Sequence, residues 1–120
     1  MGEQAERLKQ RVRRFVLGVI ALIQRLPSVE PGPTVRHQLA KSATSVDMNY
    51  RAACRARSHA EFTAKIGLVA EEADETASWL DLIAEASLAD TADLKELRDE
   101  ARQLVAIFSA SLGTARRNRR

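Results

Sequence analysis

Aromatic residues, glycine, proline and cysteine are all scarce in this sequence of 120 residues. It holds five aromatic side chains, five glycines and three prolines, whereas alanine and the aliphatic residues are abundant. This profile is typical of helical proteins with heptad seams, and no segment alternates in the way of a strand. Length and composition therefore predict one small, soluble, all-α domain.

Cysteine and long apolar runs are nearly absent. The single cysteine, Cys54, has no partner for an internal disulfide, which favours a reducing compartment, and we expect the cytoplasm. The longest apolar run, Phe15–Ile23, has about half the length that a membrane-spanning helix needs. Two arginines precede it, as in an export signal, but polar residues follow at once and no small-residue cleavage site appears. The sequence thus predicts neither a membrane span nor export.

Ligand sets for metals and cofactors are missing as well. Di-iron bundles need Glu-x-x-His pairs that project inward, but Thr34 and Ala56 stand three residues before the two histidines, His37 and His59. The glycines are scattered and form no phosphate-binding loop. No reactive constellation of nucleophile, acid and base is present. We therefore predict no metal, no cofactor and no catalytic site.

Four segments carry apolar residues at the alternating spacings of three and four that indicate helices. They cover about residues 3–26, 33–56, 58–86 and 91–115. Short loops between long helices predict an antiparallel, up-down-up-down four-helix bundle over residues 1–115, followed by a mobile basic tail at residues 116–120.

Residues that begin or end helices stand at the predicted boundaries. Pro27 ends the first helix because proline disfavours a helical conformation in the preceding residue, and Pro33 suits the first position of the second. Ser58 and Glu61 form a capping box before the third helix. Asp90 is expected to cap the fourth.

The helical seams predict the core. Eight large apolar members are expected to be buried: Leu39, Val46, Phe62, Ile66, Val69, Leu80, Leu104 and Phe108. Two polar residues, Ser42 and Asn49, also fall on the seam of the second helix. Buried polar groups need partners, so we expect Ser42 to bond across the bundle and Asn49 to bond across it or to backbone.

The first helix is apolar on all sides between Phe15 and Ile23. A helix at the edge of a small bundle cannot bury every side of itself, and monomers rarely expose contiguous apolar patches. The surplus side chains, Val16, Leu17, Ile20 and Ile23, therefore predict an interface with another subunit. The alternative is that Leu17 and Ile20 are merely half-exposed.

Charge is divided sharply along the chain. Residues 1–57 carry a net charge of +7, residues 58–115 carry −8, and residues 116–120 add four arginines. Such asymmetry predicts charge matching within the molecule or a surface that binds polyanions. The candidate nucleic-acid-binding residues are Arg7, Arg11, Arg14, Arg51, Arg55, Arg57, Arg116, Arg117, Arg119 and Arg120.

The alternative to polyanion binding is that these arginines are solvated and form salt bridges to the acidic third helix. The cluster Glu71, Glu72, Asp74 and Glu75 of that helix is either a solvated face or pairs with the basic first or second helix, in the same subunit or the next. Asp47 also precedes Arg51 by four residues, in the order that favours a local ion pair.

The stretch from Gln38 to Leu82 carries a family resemblance. Its features are Gln38, the small polar run Ser42–Val46, Asn49, the Ser58-x-x-Glu61-Phe62 entry to the third helix, Glu75 and Leu80. It resembles the bacterial four helix bundle protein family, also called 23S rRNA intervening-sequence proteins, which are relatives of the accessory variability determinants of diversity-generating retroelements. One departure concerns Asn49: many members continue with Ile-Ala-Glu-Gly, whereas this chain continues with Tyr-Arg-Ala-Ala.

The resemblance implies a homo-oligomeric bundle, typically a five-fold ring. In the retroelement relatives it implies binding to nucleic acid and to a reverse transcriptase. Together with the arginines, it predicts a non-enzymatic, homo-oligomeric protein that binds RNA or acts as an adaptor. The alternative is a structural oligomer or protein–protein scaffold that does not bind nucleic acid.

Overall fold

The computed structural model describes residues 2–119, and within them the chain forms an all-α four-helix bundle, as predicted. The helices are α1 (Glu3–Ile23), α2 (Gly32–Cys54), α3 (His59–Glu85) and α4 (Ala92–Arg117). The bundle is elongated, with extents of 49 × 23 × 19 Å, because its helices hold 21 to 27 residues each.

Each helix packs on the next one along the chain, and α1 also packs on α4. Contacts between α3 and α4 run in opposite orders: His59 meets Ala115, whereas Asp81 meets Arg98. The same holds for the contacts between α1 and α2. This order is expected of antiparallel neighbours, and it brings the start of α1, the end of α2, the start of α3 and the end of α4 to one side of the molecule.

The end of α1 differs from the prediction, since the helix ends at Ile23 rather than at residue 26. The next residues form tighter i to i−3 hydrogen bonds, from Arg25 N–H to Leu22 and from Leu26 N–H to Ile23. The Arg36 side chain donates to the carbonyls of Ile23 and Leu26, at 3.0 and 3.1 Å. An arginine from α2 therefore gives a further donor to carbonyls at the end of α1, where the regular helical donors are missing.

Ser58 is confirmed as the cap of α3, whereas the predicted cap of α4 is wrong. The Ser58 side chain accepts a hydrogen bond from Glu61 N–H at 3.0 Å. The reciprocal bond of a capping box differs from the prediction, because the Glu61 carboxylate accepts from Arg57 N–H at 2.8 Å and not from Ser58 N–H. At α4 the cap is Thr91, whose hydroxyl accepts from Leu94 N–H at 3.2 Å, and not Asp90. Both residue types suit a cap, so only the point where the chain enters the helix decides between them.

The remaining boundaries differ by one or two residues from the predicted ones. The second helix begins at Gly32 with Pro33 in second place, and ends at Cys54 rather than residue 56. The fourth continues to Arg117, so Arg116 and Arg117 form its last turn rather than part of a separate tail.

Burial confirms seven of the eight predicted core residues. Leu39, Val46, Ile66, Val69, Leu80, Leu104 and Phe108 are at most 1% exposed. Phe62 is the exception, because it packs against the core but is only partly buried. It lies in the first turn of α3, at the end of the bundle, where fewer residues remain to cover it.

The polar members of the α2 seam follow two different patterns. Ser42 and Thr76, both buried, are hydrogen-bonded to each other at 3.0 Å between α2 and α3, as predicted for Ser42. Asn49 is only partly buried, and its amide donates to the carbonyl and hydroxyl of Ser45, at 3.0 and 2.9 Å. The predicted backbone bond is thus present, but within α2.

Alkaline pH is predicted to destabilise the bundle through Tyr50. Burial raises the pKa of its hydroxyl, and the adjacent Cys54 thiol raises it further. An unfolded tyrosine releases its proton near pH 10, while the folded one keeps it. The stabilising contribution is therefore complete below about pH 10 and is lost as the pH rises towards the folded-state pKa.

Denaturant melts across this pH range test the role of Tyr50, the chain's one tyrosine. Tyr50→Phe should show a shallower alkaline decline than the parent. Equal declines in both proteins would contradict the assignment.

Glycine is predicted to be required at the start of α2. A Cβ on Gly32 would lie 1.8 Å from the Pro27 carbonyl oxygen, and backbone cannot move as a flexible side chain can. Gly32→Ala should lower the free energy of unfolding by about 1–3 kcal/mol. Gly67→Ala is the matched control: its Cβ would make ordinary contact with Leu112 at 3.9 Å, and alanine should stabilise α3 by about 0.5–1 kcal/mol. Equal effects in denaturant melts would refute the close approach.

Candidate nucleic-acid interface

Residues from all four helices form one end of the bundle, somewhat less than half of residues 2–119, which we call the basic half: residues 2–14, 47–66 and 105–119. The His59 imidazole lies 2.8 Å from the Ala115 carbonyl, which joins the start of α3 to the end of α4. Gln4 of α1 shares a surface depression with Phe62 and Thr114. The antiparallel order therefore collects segments that are far apart in the sequence.

Charge separates strongly between the two halves. The basic half carries 12 Lys and Arg against 4 Asp and Glu. The rest of the described chain, residues 15–46 and 67–104, carries 6 against 12, and we call it the acidic half. The division that the sequence showed along the chain is thus a division between the two halves of the bundle.

Most of the predicted arginines remain exposed. Seven are exposed on the surface: Arg7, Arg14, Arg55, Arg57, Arg116, Arg117 and Arg119. Apart from Arg57, whose guanidinium lies 3.9 Å from Glu61, none of these seven forms an ion pair within residues 2–119. Arg120 lies outside the described residues. Six guanidinium groups are therefore available to a partner.

Arg11 is placed differently, because it ties α1 to α4. Its Nε and Nη2 each donate to a Glu100 carboxylate oxygen at 2.7 Å, and Nη2 also bonds Gln103 at 2.8 Å. Hydrogen bonding to Glu100 raises the pKa of Arg11, against the opposing effect of burial. Two parallel bonds to one carboxylate make a strong and specific pair, so Arg11 stabilises the fold.

Arg51 forms part of a cluster that sequence analysis recognised only in part. Asp47, which is 2% exposed, accepts from Arg51 Nε at 2.9 Å and from Arg13 Nε at 2.6 Å. The spacing of four residues revealed the pair with Arg51. Arg13 was missed because it lies 34 residues away and no local pattern connects it to Asp47.

The acidic cluster of α3 does not pair with the arginines of its own chain. Glu71, Asp74 and Glu75 are exposed, and no member of the cluster forms an ion pair within residues 2–119. Burial raises the pKa of Glu72, Glu75 raises it further, and Lys41 opposes the shift. Ion pairs of α1 within the chain run to α2 and α4 instead. The four carboxylates of the cluster therefore form no ion pair with α1 or α2 within residues 2–119, and their pairing with the next subunit stays a prediction.

The apolar surplus of α1 is smaller than predicted. Val16 and Ile23 are 4% and 7% exposed, and thus belong to the core. Leu17 and Ile20 do remain on the surface, at 56% and 37%. The prediction fails for Val16 and Ile23 because α1 packs against both α2 and α4. These two helices together cover a wider face of α1 than a single seam of apolar residues.

Within residues 2–119 no three His, Cys, Asp or Glu side chains are grouped so that they could hold a metal ion. None of the described helices is long and apolar enough to cross a membrane. The thiol of Cys54 is free and partly buried.

Comparisons with known proteins identify the family. A family model described as 23S rRNA-intervening sequence protein matches residues 5–110. The chain belongs to this family. A crystal structure of a protein of unknown function from the S23 ribosomal protein family of Bacteroides thetaiotaomicron has the same fold, with a TM-score of 0.78 and 22% identity over 87% of this chain and 96% of that one. No curated protein matches the chain.

The buried carboxylate of Asp47 is predicted to stabilise the junction of α1 and α2. Asp47→Ala should lower the free energy of unfolding by about 1–3 kcal/mol, because two charge-assisted hydrogen bonds are lost. Asp74→Ala is the control, because it removes an exposed carboxylate with no ion-pair partner in residues 2–119. It should change the free energy of unfolding by less than about 0.5 kcal/mol. Denaturant melts compare the two, and similar values would contradict the structural role.

Proposed function

We propose that this family member is a non-enzymatic, homo-oligomeric helical bundle whose basic half binds RNA. The observation that carries the proposal is the collection of exposed, unpaired arginines in one half of the molecule. A guanidinium presents a planar set of donors that suits phosphate oxygens, and phosphate contacts supply most of the affinity in sequence-independent binding.

The distribution of ion pairs supports this assignment over simple solvation. In the acidic half, Arg25, Arg98 and Arg102 all pair with carboxylates of the same chain. In the basic half, carboxylates are too few to neutralise the arginines, even when Glu100 of the acidic half, which pairs with Arg11, is counted with them. Like charges held close together cost free energy, and a polyanion would remove that cost on binding.

Assembly into an oligomer would multiply the basic surface. Leu17 and Ile20 are separated by one turn of α1, and both are exposed, so they form a small apolar strip that a second subunit could cover. Several copies of a weak site on one particle bind a long polyanion with increased avidity. The five-fold ring and the reverse-transcriptase partner that the resemblance implies stay predictions.

RNA affinity is predicted to depend on the basic half and not on total charge. The double variant Arg55→Gln, Arg57→Gln should weaken binding of a labelled RNA hairpin, and should reduce the slope of log K against log salt by about 0.7–0.9 per lost phosphate contact. Arg25→Gln removes an exposed arginine of the acidic half, and should leave the RNA affinity and the salt slope unchanged.

These titrations also separate the proposed function from the scaffold alternative. The double variant removes two charges and Arg25→Gln removes one, so a loss of binding free energy in Arg25→Gln about half as large as in the double variant would mean that only net charge matters. Absence of RNA binding by the parent protein at low salt would favour a scaffold without nucleic acid.

Oligomer formation is predicted to require the strip on α1. Light scattering should give a mass several times the 13.3 kDa subunit, and Leu17→Glu should reduce it. Leu68→Glu is the control, since Leu68 is an exposed leucine of α3 and should leave the mass unchanged. A parent mass near one subunit at micromolar concentration would disprove the oligomer.

A further inference from the structure

Asp47 is the one charged side chain within residues 2–119 that the bundle buries. It lies beneath Arg13 and Arg51, whose side chains remain 43% and 31% exposed. The three groups therefore form a layered arrangement, with a buried anion below and two cations that reach the surface. A buried carboxylate must be paired or hydrogen-bonded, and here each carboxylate oxygen accepts from a different arginine.

The bonding pattern leaves the outer part of each guanidinium free. Both arginines contact Asp47 through Nε. No hydrogen bond joins their Nη atoms to another group of residues 2–119. Arg11 differs, because its Nε and Nη2 are both used on Glu100. Each of the two partly exposed guanidiniums thus retains the paired Nη donors that can hold two oxygens of a phosphate.

We propose that Arg13 and Arg51 form a two-arginine clip for the phosphodiester backbone of a nucleic acid, with Asp47 as the residue that positions them. This inference rests on the proposed function and names a specific site within it. The two cations and one anion leave a net charge of +1 in the cluster, so a phosphate is attracted. Because Asp47 fixes both Nε atoms, the free Nη groups lose less conformational freedom when a ligand binds than those of unrestrained arginines.

The surroundings extend the clip along the surface. Arg55 follows Arg51 by four residues, directly after α2 ends at Cys54, and therefore lies near the same side of that helix. It is exposed and has no ion pair within residues 2–119. A backbone held by the clip would thus meet a further cation along α2, which a single free phosphate could not use.

Lysine substitutions test the clip without changing the charge. Arg13→Lys and Arg51→Lys each keep the positive charge but lose the planar pair of donors. Each should weaken binding of a labelled RNA hairpin by about twofold to tenfold, the equivalent of one net hydrogen bond, with the salt slope unchanged. Arg25→Lys, in the acidic half, should bind as the parent does. Circular dichroism melts confirm that all variants are folded at the titration temperature.

Asp47→Asn tests the positioning role by the sign of its effect. It removes a negative charge from the basic half, so simple attraction would strengthen RNA binding. If Asp47 instead holds the two guanidiniums in place, binding should weaken, because an amide provides only one acceptor oxygen. Tighter binding by the folded variant would overturn the positioning role.

The remaining outcomes distinguish the clip from the wider proposal. If the parent binds the hairpin and both lysine variants bind it equally well, the clip is wrong while the proposed function stands. If the parent does not bind the hairpin, the proposed function itself fails. Inorganic phosphate should displace the hairpin poorly at an equal concentration of phosphate groups, and efficient displacement would overturn the assignment to a nucleic-acid backbone.

Discussion

The buried aliphatic core has to stabilise a bundle in which the antiparallel packing of the helices places like charges close together. The antiparallel arrangement gathers 12 cations and 4 anions in one half, and their repulsion opposes folding. Against it stand fully buried leucine, isoleucine and valine side chains that all four helices contribute, each stabilising by about 1.5–3 kcal/mol. A bundle with this core can tolerate unpaired arginines, and the arginines thereby stay available for function.

Asp47 contributes both to the stability of the fold and to the presentation of arginines at the surface. Alone, its burial would be costly, and two arginines from different helices make it tolerable. The same contacts give those arginines a defined orientation at the surface. Arg11 and Glu100 represent the other solution, in which both donors are used within the chain and little remains for a partner. Whether an arginine mainly stabilises the fold or can also bind a partner thus depends on which of its nitrogens are hydrogen-bonded within the chain.

Local patterns predicted most of the fold, and non-local contacts decided much of the candidate site. Helical periodicity gave the four helices within a few residues, and Ser58 was recognised as a cap because its partner lies three residues away. Asp90 and Thr91 are neighbours of similar chemistry, so the sequence could not choose between them. Arg13 meets a residue 34 positions away and Arg11 one 89 positions away. No spacing rule encodes such pairs, because they depend on how the helices are rotated against one another.

The position of the clip on α1 connects binding to assembly. Arg13, Leu17 and Ile20 follow one another at spacings of four and three residues, and therefore share one side of the helix. A subunit that covers the apolar strip would lie within a turn or two of the clip. Assembly would then shield the clip from water, which strengthens its attraction for phosphate. The same proximity makes Arg13 sensitive to assembly, so a Lys variant that lost affinity together with mass would place this arginine in the subunit interface instead.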